Sequence, residues 1–127
     1  MAIRTLFRRM DAEIERLLFG FKTDPETEIS ERGGMLPRYT SDAFAAEEIV
    51  RRIRADGGDV FITERTRITE CFLLTPFAYD GWDDVEISAT SAPLAIGIAT
   101  LKAAGKVISL QGSTYVQLRE IEELESH

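Results

Sequence analysis

The sequence predicts an α+β fold, a two-layer sandwich whose α-β-β-β-α core is an antiparallel sheet of about three strands packed by helices, with an additional N-terminal helix. Three observations predict it. Two separated segments, starting at Asp42 and at Pro93, carry apolar residues at helical spacing. Between them, 59–65, 68–75 and 85–89 carry the period-two alternation of strands. Glycine, proline and hydroxyl residues stand at the boundaries, where caps and turns need them.

The N-terminal helix is expected over 3–19. Ile3, Leu6, Met10, Ile14, Leu17 and Leu18 fall on one stripe, while Arg8, Arg9, Asp11, Glu15 and Arg16 are expected to face away. Gly20 sits where a left-handed cap belongs. The segment 22–38 is polar and broken by Asp24-Pro25, Gly33-Gly34 and Pro37, which makes it a connecting loop with room for a short hairpin around 28–36.

The next helix starts at Tyr39-Thr40-Ser41-Asp42, with Ser41 or Thr40 as the cap and Asp42 in the first turn. Ala45, Ile49 and Ile53 recur every four residues, with Ala46 and Val50 beside them. Glu47 to Arg51 and Glu48 to Arg52 are spaced for helical ion pairs. Gly57-Gly58 ends the helix. In the first strand Val60 and Ile62 oppose Phe61 and Thr63, and the second is apolar enough for a central strand ended by Pro76. Tyr79-Asp80-Gly81-Trp82 is turn chemistry leading to the third strand, 85–89. Thr90-Ser91-Ala92-Pro93 opens the last core helix, whose stripe is Leu94, Ile98 and Leu101 and whose cap is Gly105. A short strand is expected at 107–110. Beyond Gly112, Leu118, Ile121 and Leu124 have helical spacing, but the glutamates among them suit a frayed end equally well.

This organisation is one domain over 1–127: an N-terminal helix at 1–20, a loop at 21–38, the core at 39–105 and a C-terminal extension at 106–127. A chain of 127 residues is long enough to bury a core without cross-links. The single cysteine, Cys71, rules out an internal disulfide framework and fits a reducing cytoplasm. No apolar run reaches bilayer length, and no signal peptide is read at the N-terminus. Net charge is -7. Residues 1–58 hold ten basic and eleven acidic side chains, and 59–127 hold five and eleven, so the excess acidity lies in the second half. Such a surface repels phosphate backbones and anionic lipid, which argues against direct nucleic-acid binding and membrane association.

No catalytic set is legible. The sole histidine is His127, a terminal residue that cannot be held to a geometry. Cys71 reads as a small core thiol within a strand. Asp80, Asp83, Asp84 and Glu86 are oxygen ligands at close spacing, but they lack the glycine and terminal glutamate of a calcium loop. A turn and the wet face of a strand account for them better. Gly33-Gly34 and Gly57-Gly58 lack phosphate-loop spacing. The α-β-β-β-α order also occurs in double-stranded RNA-binding domains, whose last helix starts with basic residues; here that place holds Ser91-Ala92-Pro93. No metal or other cofactor is expected. Phe77, Tyr79 and Trp82 crowd one stretch with Asp80, Asp83 and Asp84. Core and hairpin packing explains them, and so does an aromatic patch with an acidic rim, the composition of an interface hot spot.

Three stretches resemble the phage ABA sandwich proteins, a small family found in phages and prophages. They are Met10-Asp11-Ala12-Glu13-Ile14 with Gly20-Phe21; Leu36-Pro37-Arg38-Tyr39-Thr40-Ser41-Asp42 with Ala45-Ala46 and Ile49-Val50; and Thr90-Ser91-Ala92-Pro93-Leu94-Ala95-Ile96 with Leu101-Lys102-Ala103. Together they cover most of 10–104. The resemblance implies a phage or prophage origin and a helix–sheet–helix fold, and it assigns no activity and no site residues. The expectation is a noncatalytic cytoplasmic accessory protein whose partner is an unidentified protein or a second copy of itself. An acidic nucleic-acid mimic that occupies a host DNA-binding enzyme is the alternative, and a metal-assisted hydrolase built on Asp80, Asp83, Asp84 and Glu86 the third reading.

Overall fold

The computed structural model describes residues 6–106 and the backbone of 109–111 and 115–117. The order of elements is α1 (Leu6–Phe19), β1 (Ile29–Ser30), β2 (Gly34–Met35), α2 (Ala43–Ala55), β3 (Asp59–Glu64), β4 (Thr69–Leu74), β5 (Val85–Ala89), α3 (Ala92–Ala103), β6 (Ser109–Gln111) and β7 (Tyr115–Gln117). The fold is α+β, with helices packed on one face of the antiparallel sheet β3-β4-β5. The most apolar strand, β4, takes the centre of that sheet, as its composition predicts. Separate small hairpins form from β1 with β2 and from β6 with β7. Of the strand expected at 107–110, residues 109 and 110 fall in β6; 107, 108 and the tail from 118 onward lie outside the described residues.

Boundaries follow local chemistry. Ser91 caps α3 by accepting the Leu94 N–H, with proline in the first turn behind it. At α2 the cap is Asp42, which accepts the Phe44 N–H, and not Ser41 or Thr40 as expected. Thr40 cannot serve because its side chain is committed to Asp11 of α1. Gly57 leaves α2 at φ 103°, a conformation that costs glycine little. Neither helical ion pair expected on α2 forms: Glu48 meets Arg32, and Arg52 meets Asp56.

The core is one cluster drawn from all three long helices and the sheet. Val60, Cys71, Leu73, Ile87 and Ala89 of the inner sheet face meet Leu94, Ile98 and Leu101 of α3 and Ile49 and Ile53 of α2. On α3 every residue from Leu94 to Leu101 is buried, so the expected stripe is in fact a helix wrapped on all sides. The reason is α1, which packs on α3 from the side away from the sheet. Gly97 lets the chain come that close: a Cβ there would stand 2.7 Å from Thr40 Cγ2 and 3.5 Å from Ile14 Cδ1.

Candidate functional site

Two groups of residues stand out, one inside and one outside. The inner group hangs on α1. Arg8, Asp11 and Glu15 were expected on the wet face, yet all three are buried. They recur at i, i+3 and i+7, so they share one face beside Met10, Ile14 and Leu18. The segment 21–40 folds over that face and supplies the partners. Glu15 accepts from Ser30 Oγ at 2.6 Å, from Arg32 Nε at 2.8 Å and Nη2 at 2.5 Å, and from the Tyr39 hydroxyl at 2.5 Å. Asp11 accepts from the Thr40 N–H at 2.9 Å, the Thr40 hydroxyl at 2.8 Å and Arg8 Nη1 at 2.8 Å. Arg8 also donates to Glu28 and to the carbonyls of Leu36 and Pro37.

Burial raises the Asp11 carboxyl above its ordinary value, against the pull of Thr40 and Arg8. Burial and the neighbouring Glu15 carboxylate push the Tyr39 hydroxyl up as well. Arg32 spreads over the rings of Phe19 and Phe21, at 5.0 and 5.4 Å, and Phe19 stacks on Tyr39 at 5.6 Å. These carboxylates resemble a catalytic set in composition only. Both are fully buried, and their oxygens are occupied by protein donors. Their work is to tie the connecting segment and its β1–β2 hairpin to α1.

The outer group includes the patch expected from the sequence. Its six residues fall between β4 and β5 and take different positions. Phe77 is fully exposed, and Asp80 beside it is exposed too. Tyr79 and Trp82 are half-buried against the core and meet edge to face at 4.9 Å. The Tyr79 hydroxyl donates to Asp56 at 2.6 Å, and its pKa is pushed up to about 12, first by burial and then by that carboxylate. The Asp83 N–H donates to the Ala103 carbonyl, which ties the loop to the end of α3. Asp84 accepts from the Thr75 N–H at 2.8 Å and its hydroxyl at 3.0 Å, bracing the two ends of the loop. Phe77 and the three aspartates are therefore the exposed parts of the patch, and Phe77 is its one fully exposed ring.

Further exposed apolar side chains belong to the sheet. On its outer face Phe61 and Phe72 pair across strands with ring centroids 6.2 Å apart, and they remain 50% and 38% exposed. Sequence alternation places both on one face but does not say that no helix covers them. Among the described residues no group of three or more histidine, cysteine or acidic side chains is placed to hold a metal ion. Cys71 is buried in β4, and burial pushes its thiol up to about 12. No described helix is long and apolar enough to cross a membrane. Comparison of the chain with protein-family models, with curated proteins and with solved structures finds no match.

Proposed function

We propose that this is a noncatalytic accessory protein of a phage or prophage, acting inside the bacterial host cell by protein–protein contact or self-association. The observation that carries the reading is the contrast between interior and surface. Buried polar groups on α1 are consumed by one another and by the segment 21–40, while large apolar side chains are left outside: Phe77 on its loop, Phe61 with Phe72 on the sheet. Exposed aromatics next to acids suit a docking surface better than a reaction site. The phage setting is supported by the likeness of the helix-start segments to the ABA sandwich proteins, and the reducing compartment by the lone, buried Cys71.

A photo-crosslinking residue placed at 77, and separately at 61, tests it in bacterial cells expressing the protein. A discrete adduct of defined mass is expected from at least one position. The absence of an adduct from both, together with a strictly monomeric purified protein, would overturn the proposal.

The acidic-mimic reading draws on the exposed Asp80, Asp83, Asp84 and Glu86. It predicts that the protein displaces duplex DNA from a host DNA-binding enzyme. The hydrolase reading gains no support from the geometry, because Asp84 is taken up by Thr75.

A further inference from the structure

Among the described residues the sheet has an open edge at β3. The Arg65 N–H donates to the Ile68 carbonyl across the β3–β4 turn. By alternation, the main-chain groups of Val60, Ile62 and Glu64 then point away from β4. Those of Val60 are taken, its N–H by Asp59 Oδ1 at 2.8 Å and its carbonyl by Arg54 Nη2 at 3.0 Å. The outward groups of Ile62 and Glu64 meet no partner among the described residues. This edge holds no proline and no lysine, the usual guards against strand pairing, and carries Phe61 and Ile62 exposed on its two faces.

Beside the edge runs a groove of about 260 Å³ lined by Ala43, Ala46, Val50, Val60, Ile62 and Ile96. Glu47, Arg54, Ala92 and Pro93 complete its lining. Because β3 returns along α2, Arg54 lies level with the start of β3 and Glu47 lies towards its far end. Charge along α2 is therefore polarised about Val50: Glu47 is on one side, Arg51 and Arg54 on the other. Glu47 and Arg51 stand at i and i+4, yet neither forms an ion pair with any described residue.

We infer that this face seats a second copy of the chain, related by a two-fold axis perpendicular to the sheet and passing near the middle of β3. Such an axis sets β3 antiparallel to its counterpart and keeps both α2 helices on the same side of the joined sheet. Val50 then lies beside Val50 of the other copy, and Glu47 of each copy faces Arg51 of the other. Both ends of the contact are charge-complementary, whereas a parallel arrangement would set like charges together. The free groups of Ile62 pair with those of Ile62 in the other copy, and the three-stranded sheets join into one. Two-fold, self-complementary contacts are the commonest form of homo-oligomer. This dimer deepens the self-association reading above and rests on it.

Light scattering and native mass spectrometry of the full chain test the inference, with circular dichroism confirming that each variant is folded. The native protein is expected to be a concentration-dependent dimer. Glu47→Arg and Arg51→Glu, each alone, are expected to weaken it by about tenfold or more, because each creates two like-charge contacts. Mixing the two variants in equal amounts is expected to restore a heterodimer, since each then presents the other's complement. A dimer indifferent to both substitutions would move self-association to another face and overturn this inference while leaving the contact reading intact. A monomer at every concentration would overturn the dimer outright, and crosslinks to another protein from position 77 or 61 would still support the broader reading.

Discussion

Glu15 accepts four hydrogen bonds in a place where water does not reach. A buried carboxylate is tolerated only when its lone pairs are filled. Ser30, Arg32 and Tyr39 fill them from the segment between α1 and α2. At Asp11 burial outweighs the bonds from Thr40 and Arg8 and raises the carboxyl above the ordinary value of 3.8. Asp59 is the opposite case: hydrogen bonds from Arg54 and the Val60 N–H lower it. These two carboxyls give opposite pH dependences. Asp11 holds its proton more tightly when folded, so its contribution is fully present below about pH 3.8 and is lost as pH rises through its raised folded value. Asp59's contribution is present above about pH 3.8 and is lost as pH falls through its lowered value. Urea denaturation across this acid range, referenced to Asp11→Asn and Asp59→Asn, is expected to show the stability difference falling with pH for the first and rising for the second. Slopes of the same sign would contradict the two environments.

At the scale of elements, α3 packs against the sheet, α1 and α2, and at Gly97 it leaves no room for a side chain beside Thr40. A methyl group there gains helix propensity, up to about 1 kcal/mol. It also drives into Thr40 Cγ2, which is held because the Thr40 hydroxyl is bonded to Asp11. Overpacking against a fixed neighbour costs about 1–3 kcal/mol, so Gly97→Ala is expected to destabilise overall. Thr40→Ser removes the obstructing methyl and keeps the hydroxyl. The double variant Thr40→Ser/Gly97→Ala is therefore expected to recover most of the loss in chemical denaturation, a coupling that a double-mutant cycle reads directly. Purely additive effects would mean that the clash is relieved elsewhere.

At the scale of the whole molecule, the segment between α1 and α2 behaves as part of the body. Arg32 binds Glu15, Glu48 and Tyr39, and Arg8 holds the carbonyls of Leu36 and Pro37. The β3–β4 turn, by contrast, carries an exposed Arg67 outside any strand. Limited trypsin digestion followed by mass spectrometry is expected to cut after Arg67 well before Arg32. Early cleavage at Arg32 would show that the buried carboxylates do not restrain the segment. The same geometry decides which surfaces are left over. With α1, α2 and α3 all on one side of the sheet, no described residue covers Phe61 and Phe72 on the other side or pairs with the β3 edge.

Periodicity, caps and turn residues by themselves determined the α+β class, the three long helices, the strand order in sequence and the hairpin near 28–36, because each is a local preference written within a few residues. They also brought together Phe77 through Asp84 on one connection, since those residues are neighbours in the chain. Tertiary structure alone decided that Arg8, Asp11 and Glu15 face inward, because their partners lie up to 29 residues away. It alone decided that α3 is wrapped on every side and that Glu48 chooses Arg32 over Arg52. A helical face has no preferred environment until another element covers it. Spacing can show which residues share that face, but only packing settles whether water or protein meets them.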